Sequence, residues 1–216
     1  MQKRKHDLRW MIGVALMAAI IVLLANTPLG MIQLPVIKAT TTHIPVILGA
    51  ILFGPLAGSI LGAVFGICSM VSNTVAPTLL SFAFSPFLST TGLPGVLKAV
   101  WISVGCRIMI GLVSGWLWIA LRHIRIKNQP LSEWIALPIV GFIGSMTNTF
   151  FVMGSIYLLL AKEYAAAKDV PMTAVFGLVM GTVTGAGVME AVAALILVAA
   201  LGKVLLQVAK RLDFTR

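Results

Sequence analysis

ATTTHIPVILGAILFGPLAGSILGAVFGICSMVSNTVAPTLLSFAFSPFLSTTGLPGVL, residues 39–97, contains no Asp, Glu, Lys or Arg. Fifty-nine consecutive uncharged residues are too many for one spanning helix, which needs about 20. Gly54-Pro55 divides the stretch, because proline presets a turn and cannot continue the preceding hydrogen-bond ladder. Two helices are therefore expected, about His43–Phe53 and about Leu56–Val75, followed by Ala76–Gly95. That last segment holds Pro77, Pro86, Gly92, Pro94 and Gly95 among apolar residues. It reads as a long loop that folds back into the membrane domain, where its backbone polar groups must find partners within the protein.

The same criterion carries along the chain. Charges are absent from Trp10 to Ile37 and from Trp134 to Ala161. Further helices are expected at about Trp10–Ala25, Val96–Leu121, Trp134–Leu160 and Met172–Val208. The fold class is all-α: an integral membrane bundle of six transmembrane helices in a single domain over residues 1–216. The second helix is short enough to be tilted or partly buried. The Lys3-Arg4-Lys5 and Met11–Ala25 pattern also resembles a signal peptide. No small-x-small cleavage site is evident near Ala25, so the segment is read as a retained helix.

Composition agrees. Of the 216 residues, 59% are hydrophobic and 10% charged, against about 45–50% and about 25% in soluble domains. Mean hydropathy is +1.04. These values exclude disorder, a nucleic-acid-binding domain and an ordinary soluble enzyme. The net charge of +10 reads as a topology signal. With the N-terminus in the cytoplasm, Lys3, Arg4, Lys5, Arg9, Arg122, Arg125, Lys127, Lys203, Lys210, Arg211 and Arg216 lie inside. Lys38, Lys98, Lys162 and Lys168 lie outside. This bias places both termini in the cytoplasm. Cys68 and Cys106 lie in apolar stretches and read as small buried hydrophobes.

Small residues four apart mark helix contacts in lipid. Gly54, Gly58, Gly62 and Gly66 form one ladder, Gly111 and Gly115 a second, and Gly177, Gly181 and Gly185 a third. All three are expected to pack the bundle. Ala15 and Ala19 on helix one read either as the same internal packing or as a face that docks another membrane protein.

Two ionisable residues lie deep in spans, Arg107 in helix four and Glu190 in helix six. Such groups are costly in a bilayer and mark function by default. They either pair with each other or face a polar pocket, where an arginine fork suits a carboxylate. Asn148 and Thr149 could each be interhelical hydrogen-bond glue, but Asn148, at the depth of Arg107, reads towards ligand contact. Asn73 reads equally as interhelical glue, as a cap or as a ligand contact. With Thr182 and Thr184 these groups concentrate in the outer half and suggest a cavity opening outward. His43, after Thr40-Thr41-Thr42, either caps helix two or lines the cavity mouth. Phe82, Phe84 and Phe87 either form an apolar lid or bury the loop. With His6 and His123 distant, no metal set is expected. Phosphate-loop, His-Glu-x-x-His and Gly-x-Ser-x-Gly motifs are absent. The chain is read as a non-enzyme that does not itself use ATP.

Several segments together resemble a known family. They are Ala15-x-x-x-Ala19, Thr42-His43-Ile44-Pro45-Val46-Ile47, Phe53-Gly54-Pro55-Leu56-Ala57-Gly58, Ser81-Phe82-Ala83-Phe84-Ser85-Pro86-Phe87, Thr147-Asn148-Thr149 and Gly187-Val188-Met189-Glu190-Ala191. In this order they resemble the substrate-binding S components of energy-coupling factor transporters, the vitamin importers of bacteria, and are most similar to the pantothenate type. Met189 departs from the family pattern, where proline is common.

The resemblance implies a high-affinity S component of an importer in the bacterial cell membrane, with pantothenate as the vitamin. It also implies docking through Ala15 and Ala19 on a transmembrane coupling protein (EcfT), with two cytoplasmic ATPases (EcfA and its paralogue) using ATP and Mg, and toppling to release substrate inward. No cofactor is expected in this chain. Substrate-binding residues are expected to be Arg107, Asn148, Thr149, Glu190, Asn73, His43, Phe84 and Phe87. Alternatives remain: an S component for a pyrimidine, a pyridoxine-like compound or a folate precursor, or a self-contained proton-coupled carrier in which Glu190 titrates.

Overall fold

The computed structural model of the chain describes residues 2–27, 30–33, 38–89, 91–126 and 129–211. Pro28 and Leu29, which follow helix one, lie outside the described residues. So do Lys127, Arg216 and the side chains of Lys3, Arg4, Lys5, Lys38, Thr40 and Arg125.

The helices are α1 (Gln2–Ala25), α2 (His43–Phe53), α3 (Pro55–Val75), α4 (Gly92–Val100), α5 (Cys106–His123), α6 (Glu133–Lys168), α7 (Met172–Thr182) and α8 (Val188–Arg211). A π turn over Trp101–Gly105 joins α4 to α5, and another over Val183–Gly187 joins α7 to α8. Among the described residues there are therefore five apolar helical spans long enough to cross a membrane, plus the shorter α2. Antiparallel two-stranded ribbons connect α1 to α2 (Met31–Gln33 with Lys38–Thr40) and α5 to α6 (Arg125–Ile126 with Gln129–Pro130).

Local chemistry explains most boundaries. Gly54 has φ 91°, a left-handed conformation natural to glycine, and Pro55 opens α3 directly after it. The helix after the loop starts at Gly92, earlier than the expected Val96. Pro94 falls in its first turn, where the missing N–H breaks no ladder bond. Span five, expected to end at Leu160, continues to Lys168, but Leu160 itself leaves helical geometry (φ −133°, ψ 25°). Asp169, at φ 53°, closes that helix.

Two glycine ladders bring α3 and α5 into backbone contact. A Cβ on Gly58 would lie 2.7 Å from the carbonyl oxygen of Gly111, and one on Gly66 would lie 2.6 Å from that of Ser103. Gly62 abuts the Arg107 carbonyl, and Gly115 abuts Pro55. The third ladder does not behave as expected. A Cβ on Gly177, Gly181 or Gly185 would meet no atom within 4 Å. Val175 and Val179 instead bury the opposite face of α7, so spacing identified the stripe but not the side it faces.

Burial separates central from peripheral spans. In α6, 56% of the span is buried, against 22% for α1. One apolar cluster joins α1, α2, α3, α5, α6 and α8 through Val14, Ile47, Leu61, Ile110, Val140 and Val198. A second joins the π turn before α5 to α6, α7 and the α3–α4 loop through Ala83, Ile102, Val152, Ile156 and Val175. Arg122, Glu133 and Lys210 meet at one end of the bundle. Trp10 near the start of α1 bonds Phe53 at the end of α2, and Pro55 abuts Gly115 on α5. The start of α1 and the end of α8 thus lie at this terminal end, and the α3–α4 loop lies at the opposite, loop end.

The loop expected at Ala76–Gly95 is shortened by the early start of α4, and its middle, residues 81–85, is tucked into the bundle while residues 76–79, 87 and 88 are exposed. It contains 3-10 turns at Ser81–Ala83 and Pro86–Leu88. Ser81, Ala83 and Ser85 are buried.

Candidate functional site

Polar side chains interrupt the apolar interior between the two clusters. The packing pairs set their level. Ile47 and Ser114 both lie against Gly144, and one turn further towards the loop end stand His43 on α2 and Asn148 on α6. Thr149 packs on Gly187, one turn before Glu190. Arg107 follows two turns beyond Ser114 on α5. His43, Arg107, Asn148, Thr149 and Glu190, from four spans, therefore sit within about one helical turn, roughly 5.4 Å, of a common layer. The first four are buried and Glu190 is half-buried.

Arg107 lies towards the loop-end edge of this layer. Its Nη1 donates to the carbonyl of Ile102, inside the π turn, at 2.6 Å. Its guanidinium carbon lies 5.5 Å from the Phe65 ring centroid and 5.1 Å from that of Phe84. Nε is buried with no hydrogen-bond partner. The charge is thus held by two aromatic faces and one carbonyl, with donor capacity unused. Glu190 acts on Arg107 electrostatically. Both charges follow π turns, which widen the helix locally and recur at functional sites.

Asn148 presents a buried Oδ1 without a partner. Ser114 and Ser145, about one turn deeper, have buried hydroxyls that are also unpartnered. Other hydroxyls on these helices bond back to their own carbonyls, as Ser59, Ser103 and Thr147 do. Ser114 and Ser145 were not singled out in the sequence, nor was Phe65. Ser114 and Ser145 share helix faces with Gly111 and Gly141, a hint of depth, but no sequence signal shows that a serine will forgo its helical bond.

Asn73 belongs to a different construction. Its Nδ2 donates to the Ser69 carbonyl at 2.9 Å, and its Oδ1 accepts from Ser81 at 2.8 Å. Ser81 also accepts from the Thr78 amide at 2.7 Å. Thr74 and Ser85 share a hydroxyl contact of 2.8 Å. These bonds clasp the loop onto α3 and deliver Phe84, which lies between Ser81 and Ser85, to Arg107. Phe87 points elsewhere and is 79% exposed; Phe82 is half-buried against the second cluster.

Ala15 and Ala19 are exposed on α1, whose inner face is Val14, Met17 and Ile21. Internal packing, one of their two readings, is thus carried by the other side of the helix. A shallow apolar groove of about 550 Å³ opens on α5, lined by Met109, Leu112, Val113, Trp116, Leu117 and Ala120. It contains none of the polar layer.

This arrangement suits capture of a small anion-bearing molecule: a fixed cation for a carboxylate, an amide oxygen for a hydroxyl or N–H, and aromatic faces for apolar groups.

Comparison with known proteins adds two findings. A family model described as the substrate-specific component of the ECF transporter matches residues 9–202. A pantothenic acid transporter, PanT, of Lactococcus lactis subsp. cremoris is 35% identical over 123 residues, covering 56% of this chain and 58% of that protein. The match spans a little over half the length of that relative.

Proposed function

This chain belongs to the substrate-specific component family of energy-coupling factor transporters, and we propose that it is the subunit that captures pantothenate for import. The observation that carries this reading is the buried guanidinium of Arg107, with an unpartnered Nε, in a layer shared with Asn148, Thr149 and Glu190. Similarity to a pantothenic acid transporter supports the choice of vitamin.

In this reading the pantothenate carboxylate takes the free donors of Arg107. Asn148 and Thr149 meet its hydroxyls or amide. Phe84 covers its gem-dimethyl group. Glu190, which would repel a carboxylate nearby, binds a hydroxyl or offsets the charge of Arg107. Asn73 acts through the loop it clasps. His43 lines the wall at the start of α2.

The remaining steps are proposed with it. The termini are cytoplasmic, in keeping with Arg122, Lys203 and Lys210 at the terminal end. The exposed Ala15 and Ala19 allow close approach of a helix from the coupling protein EcfT. Two partner ATPases supply the energy with ATP and Mg, and the subunit topples to release the vitamin inward.

Isothermal titration of the purified chain with a panel of vitamins tests the reading. Tight binding of pantothenate is expected, with none by the Arg107→Ala variant. Preference for a pyrimidine, a pyridoxine-like compound or a folate precursor would reassign the substrate. Unchanged affinity in Arg107→Ala would remove the carboxylate clamp.

A further inference from the structure

At the terminal end, one cation from α5 and one from α8 meet a carboxylate at the start of α6, and a second cation of α8 lies over the neighbouring indole. Lys210 Nζ donates to Glu133 Oε1 at 2.7 Å, and Arg122 Nη2 lies 3.9 Å from the same oxygen. Lys203 Nζ lies 3.4 Å from the ring centroid of Trp134. Arg122 also donates to the Leu131 carbonyl at 3.1 Å and lies 5.7 Å from the Trp118 ring. Among these described side chains, Glu133 neutralises one charge of Arg122, Lys203 and Lys210, leaving an excess of two beside an indole that is 64% exposed.

The surface continues towards the bilayer centre as an apolar track. Val192 and Ile196 are exposed, and they stand eleven and seven residues before Lys203. Those spacings place them on one α8 face with Lys203 and Lys210. Tryptophan settles at headgroup level, and lysine stems lie along apolar surface while the ammonium reaches the interface. Excess positive charge at the end of an apolar track is the complement of an anionic phospholipid: phosphate at one end, acyl chain along the other. An acidic protein segment would match the charge but would not need the track.

We propose that this surface binds an anionic phospholipid, with its phosphate on Lys203 and Lys210 and an acyl chain along Ile196 and Val192. With Trp134 of α6 beside Lys203, the headgroup would lie where the end of α8 meets the start of α6, next to the bridge that Glu133 makes between them.

Native mass spectrometry of the purified full-length chain, titrated with phosphatidylglycerol or phosphatidylcholine in detergent, tests the site. Wild type is expected to retain phosphatidylglycerol preferentially. The double variant Lys203→Gln/Lys210→Gln should bind it about thirty-fold less tightly, the equivalent of ~1 kcal/mol for each basic residue near an anionic surface. Glu133→Gln should bind it more tightly, because the competing carboxylate is gone; a loss of fold would not act in that direction. Equal retention of the two lipids by wild type, undiminished phosphatidylglycerol binding in the double variant, or weaker binding in folded Glu133→Gln overturns the proposal. So does a double variant that keeps the lipid but no longer assembles with protein partners, since the surface would then be a protein contact.

Discussion

The ring centroid of Phe84 lies 5.1 Å from the guanidinium carbon of Arg107, so the loop between α3 and α4 ends its path on a buried arginine. Replacing Phe84 with Ala removes a cation–π contact of about 0.5–2 kcal/mol and opens the aromatic side of the layer. Pantothenate affinity should fall about ten-fold, mainly through a faster off-rate, while the fold is kept. Stopped-flow and equilibrium titration check this. An unchanged off-rate would show that Phe84 only buries the loop.

The loop clasp gives a second test. Asn73→Ala removes the acceptor of Ser81 and the donor to the Ser69 carbonyl. Lost polar bonds between membrane segments average about 0.6 kcal/mol each, so global stability should change little. Ligand binding should nevertheless weaken, because Phe84 is no longer held in place. In the double variant Asn73→Ala/Phe84→Ala the two losses should not add. Additive losses in the titration would place Asn73 in direct contact with ligand instead.

Two glycines of span six should respond oppositely to the same substitution. A Cβ on Gly187 would lie 2.6 Å from Thr149 Cγ2, whereas one on Gly181 meets nothing within 4 Å. Gly187→Ala should displace Thr149, costing about 1–3 kcal/mol as overpacking does, with weaker ligand binding. Gly181→Ala should be neutral or slightly stabilising, since alanine favours a helix by up to about 1 kcal/mol. Thermal unfolding of the two variants in detergent measures the difference.

Ala15→Trp/Ala19→Trp should leave vitamin binding intact, because both positions are exposed on the outer side of α1, away from its buried face of Val14, Met17 and Ile21. ATP-dependent uptake in vesicles containing all subunits should be lost. Uptake that survives would detach this face from the coupling protein. Uptake by wild type without ATPase partners would favour a self-contained carrier driven through Glu190.

Ser114→Ala and Ser145→Ala each remove a buried hydroxyl without a partner. Replacing an unsatisfied polar group by an apolar one is neutral or stabilising. A Tm equal to or above that of wild type is expected. A clear drop would reveal that a water molecule or the ligand satisfies these hydroxyls.

Much of the fold was legible because hydropathy is a local property. A spanning helix satisfies its own backbone, so its existence follows from apolar length alone. Gly54-Pro55 set the α2–α3 break for the same local reason. The α3 and α5 ladders were also legible, since four-residue spacing puts small residues on one face of a helix. That argument failed for Gly177, Gly181 and Gly185: periodicity defines a face but not its neighbour, and Val175 and Val179 turned the opposite side of α7 inward.

The deep charges Arg107 and Glu190 stood out in the sequence because charge is rare in such segments. Their surroundings did not. Phe65, Ser114 and Ser145 look like ordinary span residues, and only packing across α3, α5 and α6 brings them to the layer or just beneath it. The sequence left Asn73 open and read Asn148 towards ligand contact; Asn73 holds a loop, and Asn148 keeps a buried acceptor open.

By itself the sequence determined that the chain carries apolar helical segments long enough to cross a membrane and which two charges lie deep within them. Those features depend on transfer from water and on backbone bonds within one helix. Only the tertiary structure decided which polar atoms find partners and which remain open, because a hydrogen bond or an aromatic face from another helix depends on how those helices are turned against one another.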